Sequence, residues 1–206
     1  MSVAFSKKSV AMLLSRLSGF THPNIRLEQY STPSEYAAEL LWVIKADVQG
    51  AVVYDLCCGT GILGIGAGLL GASKVHFIDM DDTVLKIAQD NVGVWQTHNI
   101  ACEAVFEQQD VTQLTITQAD IVVMNPPFGT KQKHADTQCL RAACGTPIIC
   151  SIHKASTDAY IRSFMHKQGY TCVFSVQKKW LLRNTMHMHT RNKTYIDCCM
   201  YVFVLE

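Results

Sequence analysis

Val52-Val53-Tyr54-Asp55-Leu56-Cys57-Cys58-Gly59-Thr60-Gly61 is an apolar run that ends on an acid, then turns through small residues into a stretch of helical periodicity at 62–70. A strand, a glycine-bearing turn and a helix together open a βαβ unit, because glycine lets the chain turn sharply and approach a ligand closely. The alternation continues outward from there. Short apolar runs at 75–78, 104–106, 121–124 and 148–152 are separated by helical stretches at 83–95, 137–143 and 157–168. Strands alternating with helices imply a buried, mostly parallel sheet covered on both faces. The end of the chain departs from the pattern: 171–176 and 196–205 have no helix between them and so predict an antiparallel pair. The expected fold is α/β and Rossmann-like, a seven-stranded, mostly parallel sheet with an antiparallel last strand and helices on both faces.

Upstream, Thr32-Pro33-Ser34-Glu35 reads as a helix start, with Thr32 as cap, Pro33 in the first helical position and Glu35 completing a capping box. Residues 1–27 contain no acid but carry Lys7, Lys8, Arg16 and Arg26, a composition shared with organellar transit peptides. Val10, Leu13, Leu14 and Leu17 nevertheless recur at helical spacing before Gly19, which favours a helix of the domain. The 206 residues read as one domain, with a helical segment at 1–46 and the Rossmann-like core at 50–206.

Hydrophobic residues make up 49% and charged ones 17%, as in a globular chain. A net charge of +1 excludes a global attraction to nucleic acid, so any such affinity must come from a local patch. The nine cysteines include the adjacent pairs Cys57-Cys58 and Cys198-Cys199, a spacing that suits neither a zinc ribbon nor a redox C-x-x-C. They read as free thiols of a reducing interior, and no metal site is expected. No apolar run approaches the ~18 residues of a membrane span. The expected location is cytoplasmic and/or nuclear, with an organellar address left open by the N-terminus.

Three acids follow three successive strands. Asp55 would repel a pyrophosphate but suits a ligand with an amino group, such as the methionine moiety of S-adenosylmethionine, above the Gly59–Gly61 turn. Asp79, about 20 residues past Gly59, is placed to take both ribose hydroxyls. Asp110 is placed to accept from an adenine amino group. After the fourth strand comes Asn125-Pro126-Pro127-Phe128. An aromatic amine is a poor nucleophile because its lone pair is delocalised. Accepting hydrogen bonds from its two N–H groups, by the Asn125 side-chain oxygen and the Pro126 carbonyl, localises that pair. Pro126 and Pro127 stiffen the loop, and Phe128 offers a face for a flipped base.

These residues resemble the class I N6-adenine methyltransferases, and more narrowly the methyltransferase-like protein 5 family that acts on small-subunit ribosomal RNA. The likeness runs from about Ser15 to Leu205 through Leu27-Glu28-Gln29-Tyr30-Ser31-Thr32, Asn125-Pro126-Pro127-Phe128-Gly129-Thr130-Lys131 and Ser151-Ile152-His153-Lys154. The resemblance implies S-adenosylmethionine as cofactor, closed over by Gln29, Tyr30 and Thr32 and lined by Cys57, Thr60, Ile62, Asp79, Asp110 and Val111. It also implies a heterodimer with a small zinc-binding activator subunit. One position departs: the family has glycine where this chain has Cys57. Two other readings are compatible with the motifs. One is glutamine N5 methylation of a release factor, whose enzymes usually carry tyrosine at the Phe128 position and a separate N-terminal domain. The other is a non-catalytic binding module on the same fold.

Two surfaces are expected to meet partners. The third strand, 102–108, should form the border of the sheet and offer Val105 or Phe106 to the activator. The segment 177–195 should overhang the pocket with Lys178, Lys179, Arg183, Arg191 and Lys193, and with the rings of Trp180 and Tyr195, but without any acid. With Lys131 and Lys154 nearby, it is the expected site for ribosomal RNA.

Overall fold

The computed structural model describes residues 5–129, 135–182 and 194–206. Helices α1 (Lys7–Leu14), α2 (Ser34–Val43) and α3 (Lys45–Val48) precede the alternating part. There follow β1 (Val52–Leu56), α4 (Ile62–Leu69), β2 (Lys74–Asp79), α5 (Asp82–Asn91), α6 (Gly93–Thr97), β3 (Glu103–Gln108) and β4 (Ile121–Met124). The chain ends with α7 (Ala135–Ala143), β5 (Ile148–Lys154), α8 (Asp158–Lys167), β6 (Tyr170–Leu182) and β7 (Thr194–Leu205). One seven-stranded sheet runs in the order β3-β2-β1-β4-β5-β7-β6, and β7 is antiparallel to both neighbours. β6 therefore runs parallel to β5 and ends at the same side of the sheet. The expected α/β architecture is the observed one.

Alternation along each strand divides the core in two. Val53, Phe77, Val123 and Val202 face Leu14, Leu41, Ile65 and Leu85 from α1, α2, α4 and α5. Tyr54, Ile78, Val122 and Phe203 face Leu140, Ile161 and Met165 from α7 and α8. On the first face α4 packs without spacing. A Cβ at Gly68 would stand 2.2 Å from the Trp95 ring, whose Nε1–H donates to the Ile65 carbonyl at 3.0 Å. The N-terminal stretch is part of this core, with Val10, Leu13 and Leu14 buried.

Four local expectations need correction. The helix expected at 83–95 is two, α5 and α6, because Val92 closes the first before Gly93. Thr32 does not cap α2, whose N-cap is Pro33 with no side-chain bond. Its hydroxyl accepts from Asn125, on the loop after β4, instead. The hairpin strands run further than 171–176 and 196–205, pairing out to Leu182 and Thr194, so 177–182 is ladder rather than overhang. Trp180 is 2% exposed, edge-on to Tyr36 and to Phe128, and is core rather than an RNA platform.

Candidate active site

The carboxyl ends of β1, β2 and β4 meet at one end of the sheet. With the segment between α1 and α2 they enclose a cavity of about 290 Å3. Asp55 is 1% exposed, and its Oδ2 accepts the Gly64 N–H at 2.7 Å. Burial pushes this carboxyl up to about 8 against the opposing pull of the Gly64 bond, and neighbouring Asp79 adds to the rise. Asp79 accepts the Gly59 N–H at 2.8 Å through Oδ2 and the Asp81 N–H at 3.0 Å through Oδ1, and burial raises its carboxyl too. Each carboxylate oxygen has a second lone pair, so capacity for hydroxyl donors remains. Gly59 and Gly61 have φ of 53° and 86°, the left-handed turns that deliver the chain into α4.

Cys57 also lies in the left-handed region, at φ 54°, where glycine is the easy residue. Its Sγ sits 3.5 Å from Cys139 Sγ on α7, and both thiols line the cavity. That contact, followed by burial, raises the Cys57 thiol well above its usual range. The Cys57 side chain is thus held by α7. Asp110 is exposed and caps the turn Val111–Gln113, its Oδ1 accepting from Thr112 N–H and Oγ1 at 2.8 Å each. It lines the cavity together with Thr60, Ile62 and Val111.

The opposite wall comes from the N-terminal segment. Gln29 Nε2 donates to Asp81 Oδ2 at 2.8 Å. Asn125 Nδ2 donates to Thr32 Oγ1 at 3.0 Å, while Asn125 Oδ1 is buried with no hydrogen-bond partner among the described residues. Phe128 is 7% exposed, stacked on Tyr30 at 6.3 Å and edge-on to Trp180 at 6.3 Å. Phe128 is thus packed in the core behind the cavity, which Asn125 and Pro127 of the same loop line together with Tyr30, so the face expected for a flipped base is covered. The loop's backbone is tied to the same wall, the Phe128 N–H donating to Glu28 Oε2 at 3.0 Å. Glu28 and Phe20 are among the lining residues whose parts were not read from sequence. A Cβ at Gly59 would meet the Phe20 ring at 2.8 Å, a contact across 39 positions that no local pattern announces.

Of the basic residues assigned to RNA, Lys178 is paired with Glu39 at 2.9 Å. Lys179 is exposed and lies over the Tyr195 ring at 5.5 Å, and Lys154 ends β5 half-buried. Lys131, Arg183, Arg191 and Lys193 lie outside the described residues.

The model of the family described as Ribosomal protein L11 methyltransferase (PrmA) matches residues 38–126. Those residues carry β1 to β4, and the match ends inside the Asn125-Pro126 motif, so it concerns the cofactor half more than the substrate. Similarity over three quarters or more of the chain is more specific. The rRNA N(6)-adenosine-methyltransferase METTL5 of Danio rerio is 38% identical over 164 residues, covering 75% of this chain and 77% of its own. The chain belongs to the METTL5 family. Another METTL5-family relative, the rRNA N(6)-adenosine-methyltransferase metl-5 of Caenorhabditis elegans, is 31% identical over 88% of this chain and 90% of its own. The crystal structure of PH1948 from Pyrococcus horikoshii has the same shape, with TM-score 0.85 and 33% identity over 97% of this chain and 98% of that one. The cofactor of a METTL5-family chain is S-adenosylmethionine, and this cavity's chemistry fits it. Buried carboxyls at Asp55 and Asp79 suit its ammonium and ribose hydroxyls, and the turns at Gly59 and Gly61 bring backbone to the cavity wall.

Proposed function

We propose that this protein transfers a methyl group from S-adenosylmethionine to the N6 of an adenosine in ribosomal RNA, that of the small subunit. The observation that carries this reading is Asn125 Oδ1, a buried acceptor without a hydrogen-bond partner among the described residues, on the loop that follows β4. An amide oxygen left unpaired in a core costs roughly 1–3 kcal/mol, so its natural complement is a donor that arrives with the substrate. The exocyclic N–H of a flipped adenine is such a donor.

The cofactor supplies an electrophilic methyl carbon. Everything else is the work of the chain. Asn125 Oδ1 and the Pro126 carbonyl accept the two N–H groups of the amine, drawing the nitrogen towards tetrahedral geometry and freeing its lone pair. Thr32 holds the Asn125 amide, and Tyr30, stacked on Phe128, supplies aromatic surface at the cavity wall. Asp79 and Asp110 are the assigned acceptors for the ribose and the cofactor's adenine, and Asp55 for its ammonium.

Two partners belong to the same reading. The RNA is assigned to the end of the β6–β7 hairpin, on the support of exposed Lys179 and Tyr195 at the cofactor side of the sheet. The small zinc-binding activator is assigned to β3, which pairs only with β2 among the described strands and has Val105 half-buried on its edge. Nucleoside mass spectrometry of ribosomal RNA from cells with and without the gene tests the function. Loss of N6-methyladenosine from small-subunit RNA is expected, and an unchanged level refutes it.

A further inference from the structure

Two adjacent prolines give the catalytic loop stiffness but take away its handles. Neither Pro126 nor Pro127 has a backbone N–H, so the first donor after Asn125 is the N–H of Phe128. That single group is caught by a carboxylate from a hundred residues earlier in the chain, Glu28 Oε2 at 3.0 Å. Glu28 is 6% exposed, unusual for a glutamate, and lines the cavity. Its φ of 51° lies in the left-handed region that non-glycine residues rarely occupy. Unusual backbone at a cavity wall persists where the surroundings over-determine it. Here its sequence neighbours are anchored on both sides of the site. Gln29 holds Asp81 beyond β2, and Thr32 holds Asn125 after β4.

We infer that Glu28 is a positioning residue for methyl transfer, its buried carboxylate setting the pose of the catalytic loop through the Phe128 N–H. The inference rests on the methyl-transfer reading of this site. The bond is charge-assisted and therefore among the stronger kind. Through it the N-terminal wall fixes the point from which the Pro126 carbonyl is presented to a base. Reaction rates are steep in such placement, with a misplacement of about 1 Å costing about 100-fold.

Glu28→Ala and Glu28→Gln separate positioning from bulk stability. The alanine variant is expected to lose about 10- to 100-fold in kcat, with the KM for RNA and the Kd for S-adenosylmethionine within about threefold of the parent. The glutamine variant keeps an acceptor oxygen and is expected to recover most of kcat. Amide hydrogen exchange gives a readout independent of activity. A peptide covering 126–128 carries one backbone amide, that of Phe128, and it should exchange about tenfold faster in the alanine variant than in the parent or the glutamine variant. An alanine variant with parental kcat, or with Phe128 protected as before, overturns the inference. So does a glutamine variant as slow as the alanine one while melting at the parental temperature. If the alanine variant does not fold, the glutamine comparison decides, since it too must keep Phe128 protected. A parent that methylates no adenosine in RNA would overturn the functional reading, while the exchange result would still judge the Glu28 contact.

Discussion

Cofactor binding should be strongly dependent on pH, and Asp55 should be the reason. Its carboxyl is pushed up to about 8 by burial, so in the free protein at pH 7 only about a tenth of the molecules carry the charge that an ammonium group needs. An α-amino group itself titrates near 7.7–8.0. Binding requires ammonium and carboxylate together, which means one proton shared between two groups, so affinity should peak close to pH 8. The product of the two ionised fractions falls about 20-fold from pH 8 to pH 6, or about 1.8 kcal/mol. Close to one proton should leave per cofactor bound at pH 6.5. Titration calorimetry between pH 6 and 9, in two buffers of different ionisation enthalpy, reads both quantities. Asp79 and the Cys57 and Cys58 thiols are also shifted upward beside this site, so the assignment needs a control. Asp55→Asn keeps an acceptor but cannot titrate, and its acid limb should flatten to within about threefold. A parental Kd constant from pH 6 to pH 8, or an unchanged acid limb in Asp55→Asn, would refute the reasoning. The same carboxyl makes the free protein's stability fall as pH rises from 3.8 to about 8, because over that window the unfolded state has released a proton that the folded state retains.

Three further outcomes follow from the packing. Asn125→Ala removes one of two acceptors for the amine and should lower kcat about 100-fold or more with cofactor Kd unchanged, as measured by methyl transfer to RNA and by calorimetry. Trp180→Ala empties a site that touches both Tyr36 and Phe128, and should cost about 3–5 kcal/mol in denaturant melts with a loss of kcat, whereas an RNA-facing tryptophan would cost affinity without stability. Val105→Asp sets a charge on the edge of β3 that no described strand covers, and should abolish co-purification with the proposed activator subunit while the melting temperature barely moves. It is cleaner than Phe106→Asp, because Phe106 stacks on Phe77 at 4.8 Å.

The alternation of strands and helices, the acids at strand ends and the Asn125–Phe128 motif were legible in the sequence because each is local. A period of two or of 3.6 needs only a dozen residues, and a turn or a rigid proline pair needs fewer. The tertiary structure decided what those residues touch. Thr32 carries the look of a helix cap, yet its hydroxyl holds Asn125, 93 positions away, because the cavity brings the two together. Trp180 stands among lysines, as a base-stacking ring would, but β6 runs on past its expected end and turns the indole into the core against Phe128. Lys178 is spent on Glu39, a partner 139 positions upstream. Cys57, a side chain at a left-handed backbone position, has its partner thiol on α7, 82 positions downstream. Glu28 shows the division most plainly, since a glutamate between a leucine and a glutamine reads as solvent-facing. Only the folded chain, in which two prolines have left Phe128 as the first available N–H, gives that carboxylate something to hold, because a hydrogen bond depends on distance in space and not on separation along the sequence.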